Sequence, residues 1–333
     1  MRPTLRSALL VAAVSAGAGA VVSRRRWSRA DDPTEGRPLG LPAGSEHRVR
    51  TGDGTALAVL DMGDATQPPI VLAHGWTADR RVWAAVARRL MAEGRRVVVY
   101  DQRGHGASTI GWDGMTIEAL ADDLRAVLEA VDAHDSVIGG HSMGGMGAQM
   151  FALRHPDVLA ERVKALVLIS TAAAHVSSSQ LAARATGRLM GSPAVQRAMA
   201  SDTVGPFLVR GSHGRRVSLT ALDATRGSWL GTRPEVRAGF LPALAHLDLT
   251  NRLPAVKIPT VVVTGSRDTL LPARRSRQIA SLIPGARLEV LPGAGHQLPF
   301  ETPERLAAIL AAAAGPVVAG LASAGATPDP GGV

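Results

Sequence analysis

The chain has 333 residues, 46% of them apolar and 20% charged, the proportions of a globular protein able to bury a sizeable core. It contains no cysteine, which excludes disulfides, thiolate metal sites and a cysteine nucleophile. The net charge is +9, but six arginines and no acid fall in the first thirty residues, so much of the excess belongs to the N-terminal tail.

Nucleic-acid binding is not expected, because the ten aromatic residues do not interleave with a basic stripe. The only lysines, Lys164 and Lys257, do not follow glycines, so there is no Walker-type phosphate loop. No G-x-G-x-x-G occurs either, which argues against a dinucleotide-binding domain of the usual kind.

Arg2 and Arg6 precede an apolar run from Ala8 to Val22, and Arg24, Arg25 and Arg26 follow it. The run is short for a membrane span and about right for the apolar region of a signal peptide. Ala18-Gly19-Ala20 offers a small-residue cleavage site, whereas the arginine cluster beyond it resembles an anchor. Residues 1–30 are therefore read as an anchor or signal-like segment giving membrane association. A cytoplasmic or exported location is the alternative. Residues 31–44, rich in Pro, Gly and Asp, read as a linker.

From residue 45 the pattern becomes regular. Glu46–Thr51 and Thr55–Asp61 alternate around Gly52-Asp53-Gly54 and predict a hairpin. Pro69–Ala73 is a short apolar run of the kind buried on both faces. Arg80–Glu93 has helical spacing at Val82, Val86 and Leu90, and Arg96–Tyr100 is another buried strand. Thr116–Val131 predicts a helix capped by Thr116, with Leu120, Leu124 and Leu128 on its apolar face. Ser136–Gly139 predicts a strand, Gly144–Arg154 a helix and Val163–Ile169 a strand. Later come strands at Thr260–Thr264 and Arg287–Leu291, with helices at Arg274–Ile283 and Pro303–Ala313. This alternation predicts an α/β protein with a mostly parallel sheet.

The alternation breaks once, between Thr171 and Pro259, where Ala and Leu dominate without a buried-strand pattern. Residues 172–252 read as a mainly helical insertion at the carboxyl edge of the sheet, where such sheets bind ligands, and so as a candidate lid. The core is then 45–171 together with 253–314. The tail 315–333 is rich in small residues and reads as disordered.

The stretch Gly140-His141-Ser142-Met143-Gly144 contains G-x-S-x-G, follows a buried strand and opens a helix. That context puts Ser142 at the apex of a tight turn, with Gly140 and Gly144 removing side chains that would clash there. A serine needs a base, and the base needs an orienting acid. His296, in Gly293-Ala294-Gly295-His296, lies just past a strand near the end of the pattern. Asp268, in Gly265-Ser266-Arg267-Asp268, lies just past an earlier one. All three candidates fall at carboxyl ends of predicted strands. Backbone N–H groups of Met143 and of Trp76, in Ala73-His74-Gly75-Trp76, are the candidate oxyanion donors.

These segments, with Asp101-Gln102-Arg103-Gly104-His105-Gly106, carry a resemblance to the α/β-hydrolases over residues 45–314. The resemblance implies an eight-stranded, mostly parallel sheet flanked by helices, a cap domain at the position of the insertion and no cofactor or metal. It also implies that the D-x-R-G-H-G segment is structural, so Asp101 and Arg103 are read as a polar pair rather than as catalysts. Relatives that open epoxides or displace halide use an aspartate at the elbow, where this chain has Ser142. Epoxide opening also uses cap tyrosines, and the single tyrosine here, Tyr100, lies outside the insertion.

What remains is acyl transfer to water. The expected function is hydrolysis of carboxylic esters, with a hydrophobic, monoacylglycerol-like ester as a small-molecule substrate. One alternative is a carbon–carbon bond hydrolase of ring-cleavage products, with Arg210, Arg215, Arg216 or Arg233 anchoring a substrate carboxylate. Others are a perhydrolase or haloperoxidase-like activity and a non-catalytic binding protein. A complete Ser–Asp–His set argues against the last.

Overall fold

The computed structural model describes residues 31–174 and 180–317. In chain order, β1 (Ser45–Arg50) and β2 (Ala56–Met62) form an antiparallel hairpin, and β3 (Pro69–Ala73) follows. A 3-10 turn, Arg80–Trp83, leads into α1 (Ala84–Ala92), then β4 (Arg96–Tyr100), α2 (Ile117–Ala130) and β5 (Ser136–His141). Helices α3 (Met143–Arg154) and α4 (Pro156–Arg162) precede β6 (Val163–Ile169). Among the described residues, five helices come next: α5 (Gln180–Met190), α6 (Pro193–Ala200), α7 (Gly205–Arg210), α8 (Leu219–Gly231) and α9 (Pro234–His246). The pattern then resumes with β7 (Thr260–Gly265), α10 (Arg274–Leu282), β8 (Arg287–Leu291), α11 (Leu298–Glu301) and α12 (Pro303–Ala314).

The strands make one eight-stranded sheet in the order β1-β2-β4-β3-β5-β6-β7-β8. Pairing is antiparallel only for β1–β2 and β2–β4, and parallel from β4 to β8. Strands β3, β4 and β5 are buried along their whole length, around the apolar runs Ile70–Ala73, Val97–Val99 and Val137–Ile138 that a strand covered by helices on both faces needs. Two apolar clusters fill the layers, one around α2 and α3, the other around α1 and α12.

Local sequence accounts for most element ends. Thr116 caps α2 by accepting from the Ala119 N–H at 3.1 Å. The predicted helix Arg80–Glu93 begins instead as a 3-10 turn, because the Asp79 carboxylate accepts from the Arg81 N–H and so caps the chain one turn early. Helix α4 was not predicted, although Pro156 at its first position and Asp157 in its first turn are helix-start residues.

Residues 32–41, expected to be a linker, are held against α1. Arg88 donates to the carbonyls of Thr34, Arg37 and Gly40, and Arg89 donates to that of Pro33. Thr34 is fully buried. The readings of residues 1–30 and of 318–333 lie outside the described residues. Among the described residues, no helix is long and apolar enough to cross a membrane.

The D-x-R-G-H-G loop is buried, but Asp101 and Arg103 do not pair with each other. The Arg103 fork takes both Asp123 oxygens at 2.7 Å and Asp53 at 2.9 Å. Asp101 instead accepts from the backbone N–H groups of Arg80 and Ala107. The guanidinium offers five donors in a rigid plane, and two carboxylates from β1–β2 and α2 occupy it.

Of the five helices described between β6 and β7, α5, α6, α8 and α9 are tied together by a buried arginine that hydrogen-bonds to no carboxylate. Arg237 donates to the carbonyls of Met190, Trp229 and Thr232 and to Gln196 Oε1. Its guanidinium lies 3.8 Å above the Trp229 ring. Burial lowers its pKa, and the carbonyl dipoles and the ring face stand in for a counter-ion.

Candidate active site

The parallel strands end on one side of the sheet, and the turns that follow β5, β7 and β8 meet there. At the end of β5 the chain reverses sharply into α3. Ser142 at this turn has φ 52° and ψ −115°, a left-handed conformation that costs a residue with a Cβ on the order of 1–3 kcal/mol. The turn is held by hydrogen bonds from Ser142 N to the Ile169 carbonyl at 2.9 Å and from Thr171 Oγ1 to the Ser142 carbonyl at 2.7 Å.

The glycines allow this close approach. A Cβ on Gly140 would sit 2.7 Å from the Gly144 carbonyl and the Gly145 Cα, and one on Gly144 would run into the carbonyls of Ala73 and His74. Backbone cannot yield there as the end of a side chain would. Gly145 is under the same constraint, since its Cβ would lie 2.7 Å from that of Thr171.

The turn after β7 carries Asp268, and the turn after β8 carries His296. One Asp268 oxygen is taken by the N–H groups of Leu270 and Leu271, at 3.0 and 2.8 Å. The other accepts from His296 Nδ1 at 2.8 Å. That bond leaves His296 Nε2 as the acceptor, and it lies 3.1 Å from Ser142 Oγ. Asp268 and His296 are buried and Ser142 is half-buried, so the acid and the imidazole are shielded while the hydroxyl keeps access. The sequence-predicted Ser142, Asp268 and His296 are thus brought into one hydrogen-bonded line. Asp248, another carboxylate near the sheet edge, accepts instead from Thr250.

Met143 is the first residue of α3, and Trp76 lies in the turn after β3. Among the described residues neither backbone N–H has an acceptor in the turns and helix caps around it. Gly75 brings the two segments together, for its Cβ would stand 3.2 Å from that of Ser142.

Two residues around the site had little sequence signal. His141 donates from Nε2 to the His296 carbonyl at 2.9 Å and is buried. Burial pushes its pKa down to about 3, helped by the neighbouring His296, so it stays neutral. Glu301 accepts from backbone on both sides of His296. His141 stood inside the motif but had no expected role, and Glu301 lies past it in a helix too short to show periodicity.

The inserted helices border the site on two sides. Val236 and Phe240 of α9 pack with the loop after β4, and the Phe240 ring lies 5.5 Å from that of His105. On the other side, residues 211–215 lie against the turns that carry Asp268 and His296, with Thr269 donating to the Gly211 carbonyl at 2.6 Å. Of the arginines considered as carboxylate anchors, Arg215, Arg216 and Arg233 are exposed, and Arg210 donates to the His213 carbonyl. Among the described residues no group of His, Cys, Asp and Glu could hold a metal ion.

Comparison with known proteins agrees with this architecture. A non-heme chloroperoxidase of Kitasatospora aureofaciens is 29% identical over 253 residues, 74% of this chain and 90% of its own. A bifunctional esterase/perhydrolase of Acinetobacter calcoaceticus is 29% identical over 267 residues, 78% of this chain and 95% of its own. The crystal structure of a hydrolase from Pseudomonas aeruginosa superposes with a TM-score of 0.71 at 27% identity, covering 82% of this chain and all of that one. The family model for the alpha/beta hydrolase fold matches residues 68–303, from the start of β3 to the start of α12. The chain belongs to the alpha/beta hydrolase family.

Proposed function

We propose that this protein is a serine hydrolase of carboxylic esters, with Ser142 as nucleophile, His296 as general base and acid, and Asp268 as the group that orients the imidazole. The observation that carries this reading is the line of hydrogen bonds from Asp268 Oδ2 through His296 to Ser142 Oγ. Ser142 Oγ attacks the ester carbonyl carbon as its proton passes to His296 Nε2. The oxyanion forms against the N–H groups of Trp76 and Met143. Collapse breaks the bond to the alcohol, which leaves with the proton from His296. Water then attacks the acyl-enzyme by the same sequence and releases the acid. Asp268 holds the Nδ1–H tautomer throughout and stabilises the imidazolium.

Residues 172–252 act as the cap in this reading, and the acyl group lies between them and the elbow. The apolar composition of the cap favours a hydrophobic, lipid-like acyl chain. The apolar run of residues 8–22 between arginines supports attachment to a membrane. The esterase/perhydrolase name of the Acinetobacter relative supports perhydrolysis as a second reaction of the same acyl-enzyme, with peroxide in the place of water. The buried cation that a carbon–carbon hydrolase needs for a substrate carboxylate has no support from Arg215, Arg216 and Arg233, which are exposed.

The test is turnover of p-nitrophenyl esters from acetate to palmitate by the protein and by Ser142→Ala. Turnover that falls by on the order of 10³-fold or more in a folded variant is the expected result. The chain-length optimum reports the depth of the acyl pocket. Equal turnover by the variant overturns the assignment.

A further inference from the structure

The half-buried carboxylate of Glu301 has no part in the line from Asp268 to Ser142, yet both its oxygens are engaged by backbone. Oε2 accepts from Gly214 N at 2.7 Å and from Gly295 N at 2.9 Å, and Oε1 accepts from Gln297 N at 3.0 Å. Gly295 and Gln297 flank His296 in the chain, and Gly214 belongs to the turn between α7 and α8. Three N–H groups from two segments therefore converge on one side chain.

The rest of the His296 turn is held in the same way. Gly293 N donates to Ser266 Oγ, His296 N to the Ser212 carbonyl at 2.8 Å, and Arg215 N to the Gly293 carbonyl at 2.8 Å. The contact admits no side chains: a Cβ on Gly214 would meet the Gly293 carbonyl, and one on Gly295 would meet Gly214 N. A charged acceptor binds such N–H groups more strongly than a neutral one, and leaving them buried and unpaired is costly. Burial raises the pKa of Glu301, while the three N–H groups and His296 draw it back down. No neutral side chain of the same length accepts at both ends.

We propose that Glu301 is a positioning residue for His296: its carboxylate clamps the backbone on both sides of the imidazole and fastens the Gly214 turn of the inserted helices to the same loop. The placement of Nε2 against Ser142 then depends on docking of the inserted segment. This rests on His296 being the base, as proposed above. A base displaced by about 1 Å costs on the order of 100-fold in rate, so the clamp acts on kcat rather than on substrate binding.

The test uses the full chain, with Glu301→Gln, Gly214→Ala and the double variant beside the parent and Ser142→Ala. Gln keeps the shape of Glu but turns an NH2 group toward one of the donors. Gly214→Ala forces the turn off the His296 loop from the other side. Each is assayed for kcat and KM on one p-nitrophenyl ester, for the rate of labelling by a fluorophosphonate, and for Tm.

The expected result for Glu301→Gln is a fall in kcat of roughly 10- to 100-fold, with KM within about twofold and labelling slowed by a similar factor. The double variant should lose less than the product of the single losses, because both substitutions open one contact. A folded Glu301→Gln with unchanged kcat overturns the proposal, as does a loss confined to KM. Multiplicative losses overturn the link to the inserted segment. Should Glu301→Gln fail to fold, kcat and labelling of Gly214→Ala decide by the same criteria. A parent without Ser142-dependent turnover overturns the triad reading itself, which separates that failure from a failure of the clamp.

Discussion

The imidazole of His141 is hydrogen-bonded through Nε2 to the backbone carbonyl of His296, at 2.9 Å. Two residues 155 positions apart, one beside Ser142 and the other hydrogen-bonded to its hydroxyl, are thereby tied directly together. The bond requires the Nε2–H of a neutral or protonated ring, and burial decides for the neutral form.

Among the described residues, His141 is one of four buried histidines that burial holds neutral. His74 and His105 each accept a backbone N–H at Nε2, from Gln102 and Thr77, and donate from Nδ1 to a carbonyl. Nδ1 of His213 faces the Val209 carbonyl. Burial lowers the pKa of all four, to about 3 for His105, His141 and His213. Below about pH 6.5 the unfolded chain takes up protons that the folded one refuses. The stability they confer is therefore complete above pH 6.5 and lost as pH falls toward 3. Unfolding near pH 5 should take up close to three protons on His105, His141 and His213, with His74 adding in the same direction, and His213→Gln should reduce that uptake by about one. A Tm that is flat from pH 7 to pH 4.5 would contradict this.

The backbone of Ser142 yields a second expectation. Ser142→Gly removes the Cβ that makes φ 52° unfavourable, so it should stabilise the fold by about 1 kcal/mol while abolishing ester turnover. Urea titration of the parent, Ser142→Gly and Ser142→Ala separates the two effects. Equal midpoints for Gly and Ala would show that the turn is not strained.

Asp268→Asn preserves size and can keep the bonds from the Leu270 and Leu271 N–H groups. Its amide, however, can present N–H to His296 Nδ1 and favour the wrong tautomer. Turnover at pH 7 should fall by about 10³-fold or more with little change in Tm. Full activity of this variant would make another group the orienter.

Removal of residues 1–44 should destabilise the protein relative to removal of 1–30. The longer deletion strips Arg88 and Arg89 of the carbonyls of Pro33, Thr34, Arg37 and Gly40 and uncovers the apolar surface around Leu39 and Leu41. A Tm lower by several degrees is expected, by differential scanning fluorimetry. Equal melting would mean that the segment contributes nothing.

The sheet was legible because strands buried on both faces must be apolar throughout, and Ile70–Ala73, Val97–Val99 and Val137–Ile138 are. Ser142, Asp268 and His296 were legible because turns at the carboxyl ends of parallel strands converge, so position along the pattern implied position in space. Arg103 was paired with the wrong aspartate because its partners, Asp53 and Asp123, are 50 and 20 residues away and only the folded hairpin and helix bring them in. Residues 31–44 looked like a linker because their anchoring comes from arginines on α1, to whose donors the bare carbonyls of any sequence would answer. Arg237 and Glu301 bond mostly to backbone groups, which leave no trace in composition.

Ser142 and His296 are 154 residues apart in the chain. At a synthesis rate of about 5–20 residues per second, on the order of 10–30 s separate their emergence from the ribosome. The elbow segment is thus made long before its imidazole exists, and every strand of the sheet precedes that imidazole. The hydrogen-bonded line that runs to Ser142 therefore forms only after the last of the eight strands has been made.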